Sequence, residues 1–183
     1  IKLLRSDRSS DATVATRFVA EGRTLAKLDH PNVVAVYGAG VGDDGPFIAM
    51  QLVDGWTLDA WIDETEPPLQ RVLDVVRAAG RGLAAAHRGG FVHRDFKPAN
   101  VLVARDGQVR VADFGLARLL GMSDERVTHD EVHKGQCDAE ATIATKGVVG
   151  TPMYMSPEQR RGEPVSAASD QYSFCLVAWE ALA

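Results

Sequence analysis

His93-Arg94-Asp95-Phe96-Lys97-Pro98-Ala99-Asn100, followed by Asp113-Phe114-Gly115, decides how this chain reads. Two acids, a lysine and an amide sit at fixed offsets on two short loops joined by a hairpin. Moving a phosphoryl group needs that inventory: a carboxylate for the attacking hydroxyl, a cation on the phosphate, and oxygen ligands for a hard dication. Aspartate suits the first task, because a proton acceptor must lie within hydrogen-bond reach of the reacting oxygen.

Working outward, Val101–Val103 and Val109–Ala112 flank the turn Arg105-Asp106-Gly107 and read as the hairpin. Upstream, Leu69 to Arg88 is the clearest helix. Val72, Val75, Val76, Ala79, Leu83 and Ala86 form its apolar face, and Gly89-Gly90 ends it. Thr13 to Leu28 also recurs at helical spacing and stops before His30-Pro31-Asn32, since proline disfavours helix in the residue before it. Val33–Tyr37 and Phe47–Leu52 read as strands split by Gly38, Gly40, Gly42 and Asp43-Asp44-Gly45, and a short helix is expected around Leu58–Ile62. Leu119 to Val148 is polar and aperiodic, a long loop, and Ser166 to Ala183 reads as helix again. Strands first and helices later give an α+β arrangement in two parts.

The 183 residues suffice for one good core or two small lobes. An apolar share of 45% and a charged share of 25% are those of an ordinary globular protein. The net charge of −5 argues against nucleic acid as a general partner. No apolar run is long enough to span a membrane, and residues 1–20 carry no basic-then-apolar leader, so a cytoplasmic location is expected, with any anchor lying outside this chain. Cys137 and Cys175 are isolated and read as free thiols of a reducing compartment. His129-Asp130-Glu131-Val132-His133 has metal-ligand residue types but no amphipathic helix around it, and reads as solvated loop.

The ordered set from His93 to Gly115 resembles the eukaryotic-like serine/threonine protein kinases of bacteria, and it is the established signature of that family. The resemblance implies a two-lobed protein-kinase-like fold, with residues 1–53 a partial small lobe and 54–183 a partial large lobe holding an activation segment over 113–158. It implies that Asp95 is the catalytic acid–base, that Lys97 contacts the transferred phosphate, and that Asn100 and Asp113 ligate Mg²⁺ or Mn²⁺. Lys2 and Glu21 resemble the lysine–glutamate pair that reaches the nucleotide's phosphates. Met50, Gln51, Val53 and Leu102 would form the adenine pocket, Gln51 and Val53 through their backbone. Each residue taken alone would be an ordinary surface charge or core apolar group.

Gly150-Thr151-Pro152-Met153-Tyr154-Met155-Ser156-Pro157-Glu158 resembles the end of the activation segment, with Ser156 in place of the usual alanine. Thr151 would contact Asp95 and Lys97. Thr142 and Thr145 are candidates for regulatory phosphorylation answered by Arg94. Asp170 resembles the buried acid that anchors the catalytic loop, Glu158 is structural, and Leu25, Val36, His93 and Phe114 would stack between the lobes. His93 is thus expected as a packing residue rather than a base.

The implied function is transfer of the ATP γ-phosphate to serine or threonine hydroxyls of protein substrates, the chain itself among them by autophosphorylation. Two alternatives are weighed against it. A binding or scaffold module of the pseudokinase kind is disfavoured because Lys2, Asp95, Lys97, Asn100 and Asp113 are all present. A small-molecule phosphotransferase is disfavoured by the activation segment. The family's glycine-rich loop would precede Ile1-Lys2 and its last helices would follow Ala183, so the chain reads as a fragment. By itself it is expected to bind ATP weakly and to transfer phosphate barely, if at all, with apolar surface exposed at Phe174, Leu176, Val177 and Trp179.

Overall fold

A computed structural model describes residues 2–3, 12–43, 45–114 and 152–183, the side chains of residues 2–3, 12–14 and 152 excepted. Two three-stranded antiparallel sheets organise the chain. The first has the order β1 (Lys2–Leu3), β3 (Gly45–Met50), β2 (Val36–Gly42), and α1 (Ala12–Leu25) packs on β2 and β3. The second has the order β4 (Gly55–Thr57), β5 (Val101–Ala104), β6 (Val109–Val111). α2 (Leu58–Thr65) follows β4, and α3 (Leu69–Arg88) packs between β6 and α5 (Ala167–Leu182). A short α4 (Pro157–Arg160) precedes α5.

α3 spans the same residues that its periodicity predicts, and all six residues of the predicted apolar face are buried. Burying a valine or leucine side chain contributes roughly 1.5–3 kcal/mol, so this face dominates the core of the second unit. Gly90, at φ +80°, turns the chain out of the helix where a side chain would be strained.

β2 differs from expectation, because it runs straight through the glycines that looked like punctuation. Gly40 pairs with Phe47, and a Cβ on Gly40 would lie 3.3 Å from the Phe47 ring. The glycines leave room for that ring on the strand. Gly40, Gly42 and Gly45 have Gly-x-Gly-x-x-Gly spacing, but they lie on β2 and β3, where Gly42 pairs with Gly45 at the end away from Met50. β4 was also hidden behind a glycine. A Cβ on Gly55 would lie 2.1 Å from the Val103 carbonyl oxygen, so the close approach of β4 to β5 requires glycine.

The apolar exposure expected on α5 is corrected. Val177 is buried, and Phe174 and Leu176 pack against the core beside α3, whereas Trp179 is 73% exposed. Phe174 lies against Phe96 with ring centroids 5.9 Å apart. Cys175 is an exposed free thiol. Cys137 and the stretch His129–His133 lie outside the described residues, and among the described residues no acid, histidine and cysteine cluster could hold a metal. No described helix is long and apolar enough to cross a membrane.

The two sheets meet at residues 32–34. Val33 bridges Val111 in parallel, Val34 N–H donates to the Val111 carbonyl at 2.9 Å, and Val111 N–H donates to the Asn32 carbonyl at 2.9 Å. Residues 51–54 carry the chain from β3 to β4.

Candidate active site

α3 delivers the chain into the loop Phe91–Lys97, and the site grows from what holds that loop. Asp170, on the first turn of α5, is 1% exposed. Its carboxylate accepts from the backbone N–H groups of His93 and Arg94, both at 2.7 Å, and from His87 Nε2 at 2.7 Å. A buried carboxylate needs such donors, because an unpartnered charge there is strongly destabilising. The same bonds fix two consecutive peptide planes of the loop.

His93 is fully buried. Its Nδ1 accepts from the Asp95 N–H at 3.3 Å, so Nε2 carries the hydrogen that it donates to the Ala112 carbonyl at 2.8 Å. Burial pushes the imidazole's pKa below its ordinary value, against the opposing pull of Asp170. The ring stacks on Phe114 at 4.7 Å and meets Phe96 edge-on at 5.6 Å. With both nitrogens occupied by backbone, His93 has no lone pair to offer a substrate.

Arg94 takes φ +69° and Asp113 φ +62°. Left-handed backbone costs a non-glycine residue about 1–2 kcal/mol, so each must be held from outside. For Arg94 the N–H is held by Asp170, and the carbonyl accepts from Gln159 Nε2 at 2.7 Å. Gln159 is itself fixed by a capping box with Ser156 at the start of α4. Sequence reasoning passed over Gln159, and a side chain bonding to backbone 65 positions away leaves no local signal.

Asp95 and Lys97 meet directly, with Lys97 Nζ 2.7 Å from Asp95 Oδ2. Their side chains are 20% and 24% exposed, enough for a bound molecule to reach both. Asn100 Nδ2 donates to the Asp95 carbonyl at 2.7 Å, which leaves the amide oxygen as an acceptor. Ala112 N–H donates to the Asn100 carbonyl at 2.9 Å and brings the neighbouring Asp113 beside Asn100. An amide oxygen and a carboxylate are both hard donors of the kind that Mg²⁺ takes.

Above this loop lies a cleft between the sheets, lined by Leu25, Val36, Met50, Val111, Asp113 and Phe114. Leu25, Val36 and Phe114 thus share one pocket, and His93 stacks beneath through Phe114. Gln51 N–H is spent on the Ala35 carbonyl at 2.8 Å. Val53 follows on the connection between the sheets, and Leu102 sits half-buried on β5 opposite Thr57. Lys2 pairs with Ile48 on β1, and Glu21 is half-buried on α1. Thr142, Thr145, Thr151 and Gly115 lie outside the described residues.

Glu158 accepts from the Ser169 hydroxyl at 2.6 Å, and that bond lowers its pKa below the usual carboxylate value. Nearby, Tyr154 Oη donates to Glu180 at 2.6 Å, and burial followed by that carboxylate raises the phenol's pKa. The Tyr154 carbonyl accepts from the Ser173 hydroxyl at 2.7 Å. Residues 154–158 are thereby tied to α5, the same helix that holds the loop at Arg94.

The family model of the protein kinase domain matches residues 1–183. This chain belongs to the protein kinase domain family. It is 38% identical over 188 residues to the serine/threonine-protein kinase PknB of Mycobacterium tuberculosis strain H37Rv, covering all of this chain and 28% of that protein. It is 39% identical over 184 residues to serine/threonine-protein kinase PknL of M. tuberculosis strain CDC 1551, covering 42% of that protein. Among solved structures, the PknI kinase domain of M. tuberculosis superposes with a TM-score of 0.68 at 29% identity, over all of this chain and 62% of that one. The fold is protein-kinase-like, α+β, and the chain spans less than half the length of these curated relatives.

Proposed function

We propose that this chain carries the catalytic loop and part of the nucleotide site of an ATP-dependent protein serine/threonine kinase. The observation that carries the reading is the loop held by Asp170, on which Asp95, Lys97 and Asn100 converge within hydrogen-bond distances. Residues 1–53 form the small-lobe part and 54–183 the large-lobe part. ATP and Mg²⁺ are the cofactors general to the family. Bound Mg²⁺ would neutralise charge on the phosphates, with Asn100 and Asp113 as its protein ligands.

The chain's own residues supply the rest. Asp95 accepts the proton of a serine or threonine hydroxyl and orients its oxygen toward the phosphate. Lys97, already paired with Asp95, supplies positive charge where the transferred group gathers negative charge. Met50, Val53 and Leu102 enclose the adenine. The Gln51 carbonyl accepts from the base, its N–H being already spent on Ala35. Lys2 reaches the phosphates from the small lobe with Glu21 as its partner, and Thr151 bridges to Asp95 and Lys97. Thr142 and Thr145 take regulatory phosphate, through autophosphorylation as well as other kinases. The site faces the cytoplasm, where ATP and Mg²⁺ are available.

The test is transfer of label from γ-labelled ATP to serine or threonine of a general protein substrate by the full gene product. Asp95→Asn should lower the rate 10²–10⁴-fold, the usual worth of a general base. Asp113→Asn should abolish the Mg²⁺ dependence along with the activity. Undiminished transfer by Asp95→Asn would refute the assignment.

A further inference from the structure

On the surface of the second unit, a groove of about 300 Å³ opens between α3 and the β5–β6 turn, and it shares no residue with the interlobe cleft. Arg71, Asp74, Val75, Ala78 and Arg81 follow one another along it at helical spacing. Pro31 and Val109 complete an apolar floor with Val75 and Ala78. Arg71 and Arg81 are both exposed, and they stand at opposite ends. Ten residues of helix separate them by about 15 Å.

The charges are arranged to leave those two guanidinium groups available to an anion. Asp74 is 3.6 Å from Arg77 and also accepts from Gln70 at 3.4 Å, so its charge is answered in part from its own helix. Asp106, in the β5–β6 turn, spends one carboxylate oxygen on the Gln108 N–H and the other on the Gln108 side chain, both at 2.9 Å. Among the described residues, Arg81 gives only its Nε to Asn32, at 3.4 Å. Arg71 lies across Gly107, where a Cβ would come 2.4 Å from its terminal nitrogen. The turn is thus cut away to admit that guanidinium. In a chain of net charge −5, three arginines against one acid along this stretch of α3 make a local basic surface.

We propose that this groove docks an extended acidic segment of a partner protein. One carboxylate pairs with Arg71, a second with Arg81, and an apolar residue between them rests on the exposed ring of Pro31. Planar guanidinium groups take carboxylates in paired hydrogen bonds, which favours arginine over lysine at such ends. An extended chain crosses about 15 Å in four to five residues, so the acids fall about four positions apart. Asp74, midway, opposes a third acid at the centre. The proposal is independent of phosphate transfer.

The test is fluorescence anisotropy with the full gene product, without nucleotide, using labelled Glu-Ala-Leu-Ala-Glu as the probe. Saturable binding is expected, weakening about tenfold or more on either Arg71→Glu or Arg81→Glu and weakening with added salt. The double charge reversal R71E/R81E should instead bind Lys-Ala-Leu-Ala-Lys. Glu-Ala-Glu-Ala-Glu should bind less tightly than the probe and recover with Asp74→Asn. Circular dichroism checks that these exposed substitutions leave the helices intact. Absence of saturable binding, equal binding of Gln-Ala-Leu-Ala-Gln, or indifference to both arginine reversals would each overturn the proposal.

Discussion

The loop that carries Asp95 and the junction between the sheets each hold one polar side chain bonded to distant backbone, and the two hubs are built from different chemistry. Asp170 is a buried charge whose oxygens accept at 2.7 Å from His87, His93 and Arg94. Asn32 is a half-buried neutral amide. Its Nδ2 donates to the Val109 carbonyl at 2.8 Å, and its Oδ1 receives a long 3.4 Å bond from Arg81. A buried carboxylate tolerates no loosening, because each lost donor exposes an uncompensated charge to a medium of low polarity. A neutral amide at a half-wet position can exchange a protein partner for water at little cost. The loop that carries Asp95 is therefore pinned, while the joint that sets the spacing of the cleft is compliant.

The sharpest way to break that contrast is to remove the charged hub. Asp170→Ala leaves the His93 and Arg94 N–H groups buried without acceptors, at about 1–3 kcal/mol each, so thermal unfolding should show a loss of about 3 kcal/mol or more. Asn32→Ala should cost about 1 kcal/mol by the same measurement. Equal losses would erase the distinction. Gly82→Ala tests the compliant side by crowding it. A Cβ there would lie 2.2 Å from the Asn32 carbonyl oxygen, which is backbone and cannot swing aside. Overpacking of this kind costs about 1–3 kcal/mol, and amide exchange at Val34 and Val111 should rise as the junction opens.

How much of this was legible depended on the kind of signal. α3 was readable to the residue because its buried face repeats at helical period over five turns and glycine follows. Asp95, Lys97, Asn100 and Asp113 were readable as a group only through their order along the chain, since an isolated aspartate has no local mark of its chemistry. β2 and β4 were missed where glycine serves packing rather than turning, at Gly40 against Phe47 and Gly55 against Val103. Gln159 and Asn32 went unseen because each works through one long-range bond to backbone. Such bonds obey no period. The burial of Phe174, Leu176 and Val177 shows the complementary error, because α3 and its neighbours already cover a face that periodicity alone leaves open.

A smaller effect is expected from pH, and its sign follows from His93. The folded imidazole has a lowered pKa because it is buried, so the unfolded chain binds the proton more readily. Stability should be unaffected by this group above about pH 7.5 and fall as pH drops below its ordinary 6.5, until the lower folded value is reached. The slope from this one group is at most about 1.4 kcal/mol per pH unit. His93→Gln, with an uncharged amide to reach Ala112, should remove that part of the slope, and urea midpoints at pH 5 and pH 8 would show it.

A loss as small as that at Asn32 tests whether pinning extends to the far side of the loop. Gln159→Ala removes the donor to the Arg94 carbonyl while Asp170 keeps the N–H, so stability should fall by only about 1 kcal/mol. Half of the restraint on a left-handed residue is then gone. Amide exchange should quicken at Asp95, whose N–H shares one peptide group with the released Arg94 carbonyl, while His93 and Arg94 stay protected by Asp170. Gln159→Glu separates bond from bulk, since it keeps the side chain's length but offers only acceptors to a carbonyl. It should behave like alanine at Asp95 or worse. Unchanged exchange there in both variants would mean that Asp170 alone holds the loop, and that the tie from α4 is dispensable.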